Sequence, residues 1–154
     1  MTQSVFYNFY MNAEKKLQVQ TFGNFEVFIN GKPLGFARKK TKELLAYLVS
    51  RKGAMCYIKE LAGVLWEDKK NSPSLQSSVR HLIKDLTETF KRAGVSDVLN
   101  RGWGCIAIVP DKISCDFYDY NAGINVNNYM GEFMSQYSWA ELTNHYLDKK
   151  LEKK

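Results

Sequence analysis

The sequence predicts an α+β fold in which a small antiparallel sheet is followed by three helices and a glycine-tipped hairpin. Apolar residues alternate with polar ones between residues 17 and 29, and Asn30-Gly31 follows them. This is the pattern of short strands joined by a tight turn. From Arg38 onward the apolar period becomes helical, and two further short apolar runs flank the glycine-rich residues 101–104.

The composition narrows the class of protein. A chain of 154 residues that is 45% hydrophobic suits one domain, or one domain and part of another. Every apolar run is shorter than the roughly 18 residues of a membrane helix, and the amino terminus lacks the features of a signal peptide. We therefore expect a cytoplasmic protein without a membrane partner. Cys56, Cys105 and Cys115 predict buried thiols rather than a disulfide framework or a metal site, and we expect no cofactor.

Positive charge is concentrated in the first two thirds of the chain. Residues 1–109 contain 17 Lys+Arg against 9 Asp+Glu, whereas residues 110–148 contain 1 against 6. A basic segment of this kind is typical of nucleic-acid binding. A mildly basic, solvated domain would show the same excess, so charge alone leaves both interpretations open.

The amino-terminal strands come first along the chain. Leu17, Val19 and the apolar residues of 25–29 predict two strands with one covered face, and residues 32–36 would form the returning strand. A first helix then begins near Arg38 and ends at Gly53. Its start is crowded with basic residues, which is the unfavourable end for the helix dipole. Phosphate contact would offset that cost, although a solvated basic face would account for each lysine equally well.

The second and third helices follow closely. The second, residues 57–68, contains Trp66, which continues its apolar stripe and is predicted to be a core anchor. The third spans residues 71–94, with Pro73 after Ser72 at its start and Gly94 at its end. Its inner stripe is Leu75, Val79, Leu82, Leu86 and Phe90. Its opposite face contains Ser77, Arg80, His81 and Lys84, with no carboxylate among them, and we predict that this face reads DNA.

The predicted hairpin is the last element of the basic part of the chain, residues 1–109. Strands are predicted at residues 98–100 and 105–109, with Arg101 and Trp103 projecting from the glycine-rich tip between them. An exposed tryptophan at a hairpin tip needs a partner or a neighbouring apolar surface.

This order of elements is that of a winged helix-turn-helix, and several stretches resemble the OmpR/PhoB-type domain of the SARP (antibiotic regulatory protein) branch. FARKKTKELLAYL at residues 36–48 and ELAGVLW at residues 60–66 resemble the first two helices of that family. SLQSSVRHLIKDL at residues 74–86 resembles its recognition helix, and CDFYDY at residues 115–120 the join to the next domain. Residues 129–154 resemble the opening of a bacterial transcriptional activator domain.

The resemblance implies a sequence-specific regulator that binds double-stranded promoter DNA and is not an enzyme. The third helix, residues 74–92, would lie in the major groove, and the hairpin wing, residues 101–104, on the backbone or the minor groove. RNA polymerase, through residues 67–72, and self-association on tandem DNA sites are further implied partners. The groove-facing residues would be Gln76, Ser77, Arg80, His81 and Lys84, and the phosphate contacts Arg38, Lys39, Lys40, Lys70 and Arg101.

Three segments are predicted: a linker or docking segment at residues 1–13, the DNA-binding domain at 14–110 and the start of a helical domain at 111–154. A protein-interaction module is the first alternative function, because the acidic carboxy-terminal segment is rich in aromatic residues. They are Phe117, Tyr118, Tyr120, Tyr129, Phe133, Tyr137 and Trp139. An enzyme is the second alternative: Asp85 could orient His81, but no nucleophile or paired carboxylate accompanies them, and we predict no catalytic residue.

Overall fold

The computed structural model describes residues 15–152, and their contacts form two compact units. One comprises residues 15–34 and 113–152, and the other is Gly35–Lys112. The described residues form five helices and two sheets, which confirms the predicted α+β class. These two units differ from the predicted segments 1–13, 14–110 and 111–154. The amino-terminal strands belong to the same unit as the carboxy-terminal segment, and not to the predicted DNA-binding domain. The predicted domain boundaries stay a prediction, and residues 1–13 lie outside the described residues.

Seven strands and five helices are numbered in chain order. The strands are β1 (Leu17–Gln20), β2 (Glu26–Ile29), β3 (Lys32–Pro33), β4 (Cys56–Tyr57), β5 (Leu99–Gly102), β6 (Cys105–Ile108) and β7 (Ile113–Cys115). The helices are α1 (Lys39–Ser50), α2 (Ile58–Leu65), α3 (Pro73–Arg92), α4 (Asp116–Asn121) and α5 (Glu141–Glu152).

The sheet of the first unit has the order β3-β2-β1-β7. The predicted turn between β2 and β3 is confirmed, since Asn30 and Gly31 have φ angles of 50° and 82°. Two expectations were wrong. The sheet is mixed rather than antiparallel, because β7 pairs parallel with β1. The returning strand is only Lys32–Pro33, although the Leu34 N–H still donates to the Val27 carbonyl at 2.9 Å.

Strand β1 is buried on both faces, although its alternation predicts one solvated face. Gln18 and Gln20 are 1% and 4% exposed. Gln18 donates to the carbonyl of Lys15 and accepts from the N–H of Gly31, and Gln20 donates to the carbonyl of Asn24. Burial is tolerated because these amides satisfy loop backbone groups that would otherwise lack partners.

Asp116 links the start of α4 to the end of β1. Its carboxylate is 2% exposed and accepts four hydrogen bonds, from the N–H and hydroxyl of Thr21 and from the N–H groups of Phe22 and Phe117. Burial raises the pKa of Asp116 to about 6, while the four hydrogen bonds oppose the rise. Asp116 therefore joins the end of β1 to the start of α4 through a buried, hydrogen-bonded carboxylate.

The raised pKa of Asp116 predicts a pH dependence of stability. The raised pKa contributes to the free energy of unfolding. This contribution is fully present below the ordinary pKa near 4 and is lost as pH rises through about 6, a change of about 3 kcal/mol. Asp116→Asn does not titrate, so its free energy of unfolding relative to wild type should rise by most of that amount between pH 4 and pH 7 in urea denaturation. A carboxyl titration midpoint below 4 in carbon-detected NMR would contradict this account.

The carboxy-terminal segment contributes aromatic rings to the core of its own unit. Phe117, Tyr120, Tyr129 and Phe133 are each 2% exposed or less, and the rings of Phe117 and Phe133 lie 4.8 Å apart. These four rings are therefore not available to a partner, which corrects that part of the protein-interaction alternative. Tyr118, Tyr137 and Trp139 remain half-buried.

In the second unit α1 and α2 contact the sheet β4-β6-β5, and α3 packs on both of these helices. Gly102 pairs with Cys105, so the hairpin turn consists of Trp103 and Gly104 alone, with Gly104 at φ 62°. Arg101 accordingly lies within β5, whereas the sequence predicted that it would project from the tip. The ladder continues to the turn because two residues suffice to close it.

All three cysteines are buried, as predicted, and burial raises the pKa of the Cys56 thiol to about 11. Within residues 15–152, no helix combines the length and the hydrophobicity needed to cross a membrane.

Candidate nucleic-acid interface

Helix α3 begins and ends where the sequence predicts. Ser72 precedes the helix in an extended conformation, and its hydroxyl accepts a hydrogen bond from the N–H of Leu75 at 3.2 Å. Pro73 occupies the first helical position, where a missing N–H costs nothing. Beyond Ala93, Gly94 adopts a φ of 74°, which ends the helix.

The Ser72 cap gives a prediction for the stability of this helix. Ser72→Ala removes the acceptor for the Leu75 N–H and should lower the free energy of unfolding by about 1 kcal/mol. Ser72→Asp preserves an acceptor and is the matched control. Chemical denaturation followed by far-ultraviolet circular dichroism measures both variants, and equal loss in the two would show that the hydroxyl has no capping role.

The inner side of α3 is buried and the outer side is exposed. Val79, Leu82, Leu86 and Phe90 are at most 3% exposed, and Leu75 is half-buried near the helix start. This confirms the predicted inner stripe. The predicted outer residues Ser77, Arg80, His81 and Lys84 are all exposed.

The electrostatic character of the outer face changes along the helix. Arg80 and Lys84 provide positive charge in its first half, whereas the exposed Glu88 follows Lys84 by one turn. Arg80 forms no ion pair and no hydrogen bond with another side chain among the described residues. The part suited to a polyanion is therefore residues 76–84.

Gln76 is held in place at the amino-terminal end of this surface. Its amide donates to the side-chain oxygen of Asn71 at 3.1 Å, and Asn71 donates to the carbonyl of Lys59 in α2 at 3.1 Å. One N–H and the oxygen of the Gln76 amide remain for another partner. Sequence reasoning missed the orienting role of Asn71, because its two contacts depend on how α2 and α3 pack.

The basic residues at the start of α1 line a pocket of about 510 Å³. Arg38 and Lys39 are exposed. Lys40 differs: its amine donates to Glu43 at 3.1 Å and to the carbonyl of Leu65, and lies 5.5 Å above the Trp66 ring. The other lining residues are Ser78, His81 and Leu82.

Trp66 differs from its prediction as a core anchor. It is half-buried and follows the last residue of α2, where it lines the pocket under Lys40. The helix ends just before Trp66, so the indole leaves the apolar stripe that it would have continued.

The hairpin lies beside the carboxy-terminal half of α3. Arg101 is exposed and its guanidinium donates to the Thr87 hydroxyl at 3.3 Å. Thr87 follows Lys84 by three residues, so Arg101 extends the outer face of the helix. Lys70, the remaining predicted phosphate contact, is exposed in the connection between α2 and α3.

The His81–Asp85 pair that the enzyme alternative would need is not formed. Asp85 accepts a hydrogen bond from the Thr41 hydroxyl at 2.6 Å, which joins α1 to α3. His81 is exposed, and among the described residues it has no hydrogen bond with Asp85. The arrangement therefore supplies no oriented imidazole for acid–base chemistry.

The second unit has a net positive charge, and the predicted DNA contacts all lie in it. Gly35–Lys112 contains 15 Lys+Arg against 8 Asp+Glu, a net charge of +7. The helix face 76–84, the start of α1, Lys70 and Arg101 all belong to this unit. Chemically, the unit presents a basic surface with hydrogen-bonding groups at its centre.

Comparison with known proteins identifies a structural neighbour. No protein-family model and no curated protein sequence match the chain. The solved structure of Mycobacterium tuberculosis EmbR in complex with a low affinity phosphopeptide is similar, with a TM-score of 0.71 and 19% sequence identity. The match covers 88% of this chain and 42% of the EmbR chain, so this chain spans less than half the length of its neighbour. The likeness shows that the two chains share a similar α+β fold.

Proposed function

We propose that the protein is a DNA-binding transcriptional regulator whose second unit is a winged helix-turn-helix. Helix α3 is the recognition helix and enters the major groove, and the β5-β6 hairpin is the wing, which lies on the backbone or in the minor groove. EmbR, a regulator of the SARP type, has a similar fold. Regulation of transcription requires no catalysis, and promoter DNA places the site of action in the cytoplasm.

One observation carries this proposal. The outer face of α3 from Gln76 to Lys84 exposes hydrogen-bonding and basic side chains without a carboxylate, while the inner face is core. Arg80 suits the O6 and N7 acceptors of guanine, and the Gln76 amide suits adenine. Ser77, His81 and Lys84 complete the reading face.

The phosphate contacts surround this face. Arg38, Lys39, Lys70 and Arg101 are exposed cations that neutralise phosphates, and Lys40 adds charge from the edge of the pocket. About five such contacts predict a slope of log affinity against log salt near −4.5, because each contact releases condensed counterions. One module of this size buries only roughly 600 to 1,000 Å² on DNA. Self-association on tandem sites and contact with RNA polymerase would add to its affinity.

The proposal is tested by binding genomic DNA fragments at roughly 50 and 200 mM salt, followed by fluorescence anisotropy. The expected results are enrichment of a common sequence and a steep loss of affinity at the higher salt. Failure to bind any fragment, or a salt slope near zero, would refute a DNA-binding function.

A protein-interaction function is a second candidate, and it is favoured by a groove in the first unit. The groove has a volume of about 760 Å³ and is lined by residues between 131 and 148, among them the carboxylates of Glu132, Glu141 and Asp148. Beside them the rings of Tyr137 and Trp139 stack at 5.3 Å. This site would suit a partner with basic and aromatic side chains. Binding that is lost in Trp139→Ala but retained in Arg80→Ala would assign the function to this groove.

A further inference from the structure

Trp103 is the feature of the second unit that the proposed DNA contacts leave unexplained. Its side chain is 100% exposed at the tip of the β5-β6 hairpin, whereas tryptophan is highly buried on average. Full hydration of an indole is unfavourable. A contact that forms only in a complex would remove this cost.

The position of the tip is fixed by two connections. The carbonyl of Gly104 accepts a hydrogen bond from the N–H of Ile58, at the start of α2, at 3.2 Å. On the other strand, Arg101 donates to Thr87 of α3. The indole therefore has a defined location beside the recognition helix.

The tip is also unusually narrow. Gly102 and Gly104 flank Trp103, so the indole is the only side chain at the end of the hairpin. A Cβ on Gly102 would lie 2.7 Å from the Cys105 sulfur, and Gly104 has a positive φ, which favours glycine. A single planar ring suits the minor groove, which is about 6 Å wide.

Resting on the proposed function, we propose that Trp103 is a wedge that enters the minor groove and partly unstacks one base step. Apolar side chains inserted in this way kink the duplex, most easily at flexible pyrimidine–purine steps. DNA is the partner of this tip because Arg101 lies two residues away and the unit has a net charge of +7. The wedge selects against guanine, whose 2-amino group obstructs the minor groove.

Two synthetic duplexes test the contact of Trp103 with the minor groove separately from contacts in the major groove. Alternating poly(dI-dC) and poly(dG-dC) present the same N7 and O6 acceptors in the major groove but differ in the minor-groove amino group. We expect wild type to prefer poly(dI-dC), and Trp103→Ala to weaken that binding by roughly 5- to 50-fold while changing poly(dG-dC) binding less than about twofold. Trp103→Phe should recover part of the loss. Circular dichroism checks that each variant is folded.

Fluorescence provides an independent readout. The emission of wild type minus that of Trp103→Phe reports Trp103, and the neutral quencher acrylamide should quench it freely until poly(dI-dC) is added. Two results together would overturn the wedge: quenching that persists on DNA, and equal affinities of Trp103→Ala and wild type for both duplexes. The exposed tip would then be assigned to a contact with a protein partner. If Arg80→Ala still weakens binding in that case, DNA binding stands without the wedge. If wild type binds neither duplex nor genomic fragments, the proposed function fails as well.

Discussion

Replacing Phe90 with alanine is expected to lower the free energy of unfolding by about 3 to 5 kcal/mol. Phe90 is fully buried and lies at the carboxy-terminal end of the inner stripe of α3. The substitution removes most of a large apolar side chain and leaves a cavity that its neighbours fill only in part. Since small domains are stable by roughly 5 to 15 kcal/mol, this single change would remove a large share of the total.

Urea denaturation of Phe90→Ala beside Lys91→Ala measures this effect. Lys91 is the next residue along the helix and is exposed, so its substitution should change stability by less than about 0.5 kcal/mol. Phe90→Leu, which retains most of the apolar volume, should lie between the two. Similar denaturation midpoints for Phe90→Ala and Lys91→Ala would contradict the burial of this face of α3.

The second large effect concerns Arg80. Arg80→Ala should weaken binding to the selected DNA by about 5- to 150-fold, and the preference for its guanine should disappear. The reason is that an exposed guanidinium at the centre of the outer face can donate two parallel hydrogen bonds to one base edge. The free energy of unfolding should change little, because Arg80 is exposed.

Lys91→Ala is the matched control for charge. It also removes one cation from the exposed side of α3, but it lies 11 residues further along, about 16 Å along the helix axis. We expect it to change affinity by less than about threefold and to leave the sequence preference intact. Equal losses in the two variants would mean that α3 contributes only a diffuse positive field.

Much of the second unit could be predicted because its signals are local. The bounds of α3 follow from Ser72, Pro73 and Gly94, which act within one turn of the helix end. Its inner and outer faces follow from periodicity alone, and burial agrees at Val79 and Phe90. Local chemistry also fixes the Asn30-Gly31 turn of the first unit.

What sequence reasoning missed depends on contacts between distant residues. The parallel pairing of β1 with β7 joins Leu17 to Ile113, and no local pattern encodes a partner so far away. The burial of Gln18 arises from the loop that it satisfies. Similarly, in the sequence Lys40 looks like one more basic surface residue. Its amine contacts the Leu65 carbonyl and the Trp66 ring because α1 and α2 pack together.

The central claim is that α3 reads bases in the major groove, and one measurement addresses it directly. In the selected DNA site, each guanine is replaced in turn by 7-deazaguanine, which removes the N7 acceptor and leaves the minor groove unchanged. One replacement should weaken wild-type binding by roughly tenfold and should have no further effect on Arg80→Ala. If every replacement weakens both proteins equally, or none weakens wild type, then Arg80 does not read a base and α3 is not the recognition helix.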